Sequence, residues 1–265
     1  MGKIIVIANQ KGGVGKTATA VNLSASLALE GKRTLLVDLD PQCNATSGVG
    51  CDAAKAEQSV YAAIMDAARA EDLIKPIAPE GLSLLPSSPH LTGAEVELVD
   101  VPDREKRLKL ALAPVVYLYD YLIVDCPPSL GLLTLNALAA ADGVLVPLQC
   151  EYYALEGLSR LLETIEMVRG SINTKLRLEG ILLTMFDARN NLSHQVSEEV
   201  VRHFGNRVFE TVIPRNVRIG ESPSFGKPIV LYDPHCRGAE TYKAFTKELI
   251  ARAKYGVPSS TFSKK

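Results

Sequence analysis

Residues 3–30, KIIVIANQKGGVGKTATAVNLSASLALE, join an apolar run to a helix-forming segment through a glycine-rich turn. Strand, glycine loop and helix in that order form the first half of a βαβ unit. Such a unit commits the chain to a parallel sheet with helices packed on its faces. The turn ends in Gly15-Lys16-Thr17, which is how a phosphate-binding loop enters its helix. Successive backbone N–H groups over Gly12, Gly13, Val14 and Gly15 can point at a phosphate, and the helix adds its positive dipole end.

The rest of the chain repeats the alternation. RTLLVD (33–38), LSLLP (82–86), YLIVD (121–125), GVLVPL (143–148) and LEGILLTMF (178–186) are short and rich in branched residues. They lack polar alternation, as strands buried on both faces do. Helical patterns fall at 17–30, 104–112, 132–140, 154–168, 194–204 and 241–254, and Gly31 is a good stop for the first. The expectation is an α/β fold: one doubly wound, mostly parallel sheet flanked by helices. No Ser/Gly/Pro-rich linker divides it, so a single ATPase domain is expected over 1–255. A flexible tail is expected at 256–265, where the apolar pattern stops.

In such sheets ligands sit at the C-terminal ends of the strands. Lys16 is placed to neutralise the β- and γ-phosphates of a nucleotide, and the Thr17 hydroxyl to bind Mg²⁺. Two other runs end in carboxylates: RTLLVDLD in Asp38 and Asp40, and YLIVD in Asp125. Asp125 is the candidate acid for Mg²⁺ or its bound water, and Asp40 is a second candidate for the metal and the one for orienting the attacking water. Lys11 has no part in this scheme. It either reaches across the mouth of the site, toward the nucleotide of a second molecule, or is a solvated loop lysine. The residues alone leave both readings open.

Composition narrows the setting. No apolar run approaches the ~20 residues of a membrane span. The N-terminus lacks the charged, apolar and small-residue regions of a signal peptide. Cys43, Cys51, Cys126, Cys150 and Cys236 form no C-x-x-C pair, which suits a reducing compartment. A cytoplasmic protein is expected. The formal net charge is −1, but residues 181–265 carry 13 Lys and Arg against 8 Asp and Glu. A basic last third on an acidic body hints at an anionic surface partner.

K-G-G-V-G-K-T at 11–17 resembles the deviant Walker A motif of the ParA/MinD class of P-loop ATPases. DLDPQCNATSGVG (38–50), DYLIVDCPPSLGLLTLNAL (120–138), VPLQCEYYALEGLSRLL (146–162), GILLTMFDAR (180–189) and VIPRNVRIGESPSFGKPIVLYDP (212–234) extend the likeness to ParA/Soj-type chromosome-partitioning ATPases over nearly all of 1–254. The resemblance implies a slow ATPase with ATP and Mg²⁺ bound in a sandwich homodimer, where Lys11 contacts the partner's nucleotide. It implies that Lys16, Thr17, Asp40 and Asp125 hold or hydrolyse the nucleotide, with 127–131 as a second switch. Gly12 would lie at the dimer face, and Met185, Pro214, Arg215 and Asn216 near the adenine. Arg189 and Arg218 match arginines used for non-specific double-stranded DNA binding. A ParB-type centromere-binding partner would stimulate hydrolysis, and the protein would be nucleoid-associated. The helix-turn-helix domain of longer plasmid relatives has no counterpart before Lys3, so operator-specific repression is not expected.

One position departs from the pattern. The family usually reads K-T-T-T, whereas this chain has Lys16-Thr17-Ala18-Thr19. Ala18 keeps the backbone N–H but lacks the hydroxyl that commonly bonds the α-phosphate, so weaker nucleotide affinity is expected. Three rival readings use the same loop. A MinD-like membrane-cycling ATPase would need TYKAFTKELIARAK (241–254) as an interfacial helix, with Tyr242, Phe245, Leu249 and Ile250 as its stripe. An iron-protein-type reductase would need paired cluster cysteines, of which only Cys126 is suggestive. A small-molecule kinase or ligase would need a substrate-pocket motif, and none stands out.

Overall fold

The computed structural model describes residues 2–151 and 154–255; the expected tail at 256–265 lies outside them. Seven strands form one sheet: β1 (Lys3–Ile7), β2 (Thr34–Asp38), β3 (Lys75–Ile77), β4 (Leu82–Leu85), β5 (Tyr121–Asp125), β6 (Gly143–Gln149) and β7 (Arg177–Thr184). Their spatial order is β3-β4-β2-β5-β1-β6-β7, and every pairing is parallel except β3 with β4.

The sheet explains the unalternating runs. β2 and β5 are buried at every position. Ile4, Val6, Leu35, Val37, Leu122 and Val124 pack into a core on one face, while Ile5, Ile7, Leu36 and Ile123 pack into a second core on the other. With helices on both sides, the middle residues of a central strand are apolar whichever way they point. β3 had no such signal. It is a three-residue edge strand, KPI, largely exposed and carrying a proline, as edge strands tolerate.

Helix α1 (Lys16–Leu29) follows β1 and buries Ala20, Leu23 and Leu27 in the second core. The predicted segment at 104–112 is a 3₁₀ turn (Arg104–Lys106) running into a helix (Arg107–Leu112). The last helix spans Arg237–Tyr255 and buries Tyr242, Phe245 and Leu249 beside α1, with Ile250 half-buried. Its stripe is therefore a core face, not a lipid-facing one. Among the described residues no helix is long and apolar enough to cross a membrane.

Candidate nucleotide-binding site

β1 is the hinge of the site. It runs between β5 and β6, and its last residue, Ile7, pairs with Asp125; Asp125 also pairs with Asp38 of β2. Two carboxylates 87 positions apart in sequence thus end adjacent strands on the edge from which the glycine loop departs.

Gly13 and Gly15 take left-handed backbone (φ 73° and 85°), which glycine adopts without a Cβ penalty. Gly15 is the N-cap of α1 and offers no side chain to the helix end. The first intrahelical bond runs from Thr19 N–H to the Gly15 carbonyl at 2.9 Å. The N–H groups of Lys16, Thr17 and Ala18 therefore lack intrahelical partners and suit an anion. The loop is pinned from β7, where the Thr184 hydroxyl donates to the Val14 carbonyl at 2.9 Å. Gly12 is exposed, and a Cβ there would meet nothing within 4 Å.

Lys16 is buried, and its ammonium donates to the Lys11 carbonyl at 3.0 Å. Burial lowers its pKa, opposed by the charges of Asp125 and Asp40. Asp125 is fully buried, and neither carboxylate oxygen accepts a well-formed hydrogen bond. Burial and then the Asp38 charge push its pKa well up, while the nearby Thr17 hydroxyl and Lys16 pull it down. A buried carboxylate without partners beside a threonine hydroxyl and a lysine fits the hydrated Mg²⁺ of a nucleotide. Such an ion takes one or two protein oxygens and completes its shell with phosphates and water.

Asp38 and Asp40 are differently employed. Asp38 accepts from Thr46 N–H and its hydroxyl, both at 2.7 Å, and from Asp40 N–H at 3.2 Å. Burial pushes its pKa up to about 6 against those bonds. Asp40 folds its own loop: its Oδ1 accepts from Gln42 N–H at 2.9 Å, and its carbonyl accepts from the Ser87 hydroxyl at 2.7 Å. Ser87 N–H in turn donates to the Thr46 hydroxyl at 3.0 Å. Asp38 is thus the anchor of the segment that carries Asp40 and runs into helix α2 (Asn44–Gly48). Thr46 belongs to the DLDPQCNATSGVG stretch (38–50), but only the fold joins Ser87 to it.

The residues expected at the adenine sit just past β7. Met185 has φ 48°, a left-handed value uncommon for a side-chain-bearing residue, and its methyl group lies 3.9 Å from where a Gly15 Cβ would stand. Pro214 forms a bridge with Phe186, and Arg215 N–H donates to the Phe186 carbonyl at 3.0 Å. Pro214 and Arg215 line a cavity of about 440 Å³ with Phe186, Asp187, Arg189 and Arg237. The Asn216 side chain caps the short helix Val217–Glu221 through Arg218 N–H at 2.8 Å. Ala18 lines a separate cavity of about 290 Å³ with Thr17, Asn44, Ser47 and Lys227.

Arg189 and Arg218 are both exposed and both ion-paired. Arg189 makes a two-pronged pair with Asp187 at 3.0 Å, which holds that carboxyl down at about 2. Arg218 pairs with Glu221 at 3.0 Å and Asp233 at 3.6 Å. Cys126 is fully buried in the first core, with its thiol closed off from the surface.

Lys11 is half-exposed and ion-paired with Glu151, a residue just beyond the end of β6. Sequence reasoning gave Glu151 no role; its place at the C-terminal end of a strand was the available signal.

Comparison with known proteins accords with this arrangement. A family profile described as an AAA domain matches residues 2–178. The sporulation initiation inhibitor protein Soj of Bacillus subtilis is 60% identical over 251 residues, covering 95% of this chain and 99% of its own. The chromosome partitioning protein ParA of Myxococcus xanthus is 58% identical, covering 95% and 89%. Among solved structures, a protein described as cobyrinic acid a,c-diamide synthase from Mycobacterium smegmatis, with bound ADP and magnesium, superposes with a TM-score of 0.86. It is 38% identical and both chains are covered in full. With the glycine loop, the paired strand-end carboxylates and this whole-length identity together, the chain belongs to the ParA/Soj family of chromosome-partitioning ATPases.

Proposed function

We propose that this partitioning ATPase works as an ATP-dependent dimer that binds DNA without sequence preference and is reset by hydrolysis. The observation that carries the reading is the orphaned Asp125 carboxylate beside Lys16 and Thr17, at the foot of a loop whose N–H groups await an anion. Lys16 and the loop N–H groups from Gly12 to Ala18 would hold the phosphates, and Thr17, Asp40 and Asp125 would hold Mg²⁺. The metal, when bound, neutralises charge on the β- and γ-phosphates. Asp40 orients the attacking water, and the Asp38–Thr46–Ser87 network keeps its loop in place. Met185, Pro214, Arg215 and Asn216 border the adenine.

Lys11 reaches the partner's nucleotide across the dimer face, where exposed Gly12 leaves room for close approach. Arg189 and Arg218 bind DNA phosphates, so dimerisation doubles the contacts and switches affinity by avidity. A ParB-type centromere-binding protein stimulates hydrolysis, and the protein resides in the cytoplasm on the nucleoid. A membrane-cycling reading loses its candidate helix, whose apolar stripe packs beside α1.

The test is binding to an arbitrary duplex with ATP, with ADP and without nucleotide, for the natural protein, Lys11→Ala and Arg189→Ala. Salt-sensitive binding with ATP alone, lost in either variant, is expected. Binding indifferent to nucleotide would overturn the reading.

A further inference from the structure

Lys11 is tied down at three points. Its N–H donates to Asn9 Oδ1 at 3.0 Å, its carbonyl accepts from the Lys16 ammonium at 3.0 Å, and its own ammonium pairs with Glu151. The grip comes from the C-terminal end of β6. Asn9 is anchored by donating to the Pro147 carbonyl at 2.7 Å, and the second Glu151 oxygen accepts from the Gln149 amide. The side chains of Lys11 and Glu151 keep 40% and 45% of their exposure, so the pair sits at the mouth of the site and not inside it.

We propose that Glu151 is a positioning residue: it holds the Lys11 ammonium on its own subunit, and Lys11 must leave it to engage the nucleotide of a second copy. This rests on the reading of Lys11 given above. The chemistry of the exchange favours ATP. A triphosphate offers Lys11 more negative charge than one carboxylate does, and a diphosphate offers less than a triphosphate. An exposed pair is weak enough to exchange readily. A nucleotide bound in the same subunit also draws Lys16 off the Lys11 carbonyl, which loosens one of the three ties. Glu151 thereby raises the threshold for dimerisation and sharpens its dependence on the γ-phosphate.

The experiment is sedimentation of the full chain with a non-hydrolysable ATP analogue and with ADP, for the natural protein, Glu151→Gln, Lys11→Ala and the double variant. An exposed pair is worth about 1.4- to 5-fold, and a dimer breaks two of them. Glu151→Gln is therefore expected to tighten the analogue-bound dimer by about 2- to 25-fold and to raise the dimer fraction with ADP. The affinity of the dilute monomer for a fluorescent ATP analogue should stay within about twofold, since Glu151 bonds Lys11 and Gln149 and none of Lys16, Thr17 or Asp125. Glu151→Asp, which keeps the charge on a shorter arm, should lie between the two. In the Lys11→Ala background Glu151→Gln should do nothing.

An unchanged or weakened dimer in a Glu151→Gln protein of normal melting temperature overturns the proposal, as does an equal effect with Lys11 removed. Should Lys11→Ala itself dimerise like the natural protein, the role of Lys11 fails first and the role of Glu151 with it.

Discussion

Asp125 and Ala18 show what single residues decide. Asp125 is a fully buried carboxylate without a hydrogen-bond partner, so the nucleotide-free protein bears its cost. Asp125→Asn is expected to stabilise that form by ~1–3 kcal/mol, the scale of an unsatisfied buried group. For a chain of this size that is a melting-temperature rise of roughly 2–10 °C. The native pKa is raised, so the native-state proton is retained at low pH and its benefit is lost as pH rises through the raised value. The advantage of the asparagine should therefore be larger at pH 8 than at pH 5. It should reverse when Mg²⁺ and a non-hydrolysable ATP analogue are added, because the variant loses the ion. Melting curves at the two pH values check both signs, and an advantage that shrank with pH would contradict the buried-charge account. Ala18 borders open space, so a threonine there can be accommodated. Ala18→Thr restores one neutral hydrogen bond and should tighten ATP binding by about 2- to 13-fold, measurable by titration calorimetry; no change would remove the α-phosphate argument.

At the scale of elements, the segment after β2 depends on a contact between two glycines. A Cβ on Gly226 would stand 2.6 Å from the Gly50 Cα, and one on Gly50 would stand 2.8 Å from the Gly226 carbonyl oxygen. Both have positive φ (61° and 82°). The turn at 225–227 thus seats directly against the chain leaving α2, and Asn22 of α1 secures the next residues by accepting from Ile229 N–H at 2.6 Å. Gly226→Ala should cost ~1–3 kcal/mol in urea denaturation, through overpacking and the strained φ together. It should also slow hydrolysis more than it weakens ATP binding, because α2 follows Asp40. A loss of binding with normal turnover would place the contact's effect elsewhere. These elements were only partly legible beforehand. The helix at 132–140 matches its apolar pattern residue for residue, since that pattern reports burial directly. Helix α2, five residues of NATSG, has no apolar period, and β3 is a three-residue edge; both exist because neighbours hold them.

At the scale of the whole molecule, the two arginines of the basic last third that are expected at DNA are not free charges. Arg189 and Arg218 each have acidic partners on their own chain, so each phosphate contact exchanges one anion for another. The gain then comes chiefly from counterions released by DNA, and salt reads it directly. If both arginines of both subunits contact phosphates, replacing them with alanine should lower the slope of log affinity against log salt by about 3–4. Weaker binding with an unchanged slope would mean that they act on the dimer and not on DNA.

The chain by itself determined what is local. A glycine-rich turn between an apolar run and a helix, and the unalternating apolar runs themselves, have causes within a few residues, and they read correctly as a phosphate loop in a parallel sheet. The tertiary structure decided which distant residues meet. Asp125 ends beside Ile7, Ser87 holds the loop of Asp40, and Glu151 reaches back 140 positions to Lys11. Those meetings follow from strand order, and strand order follows from covering both faces of the sheet. That is a property of the packed whole, and no short stretch of sequence contains it.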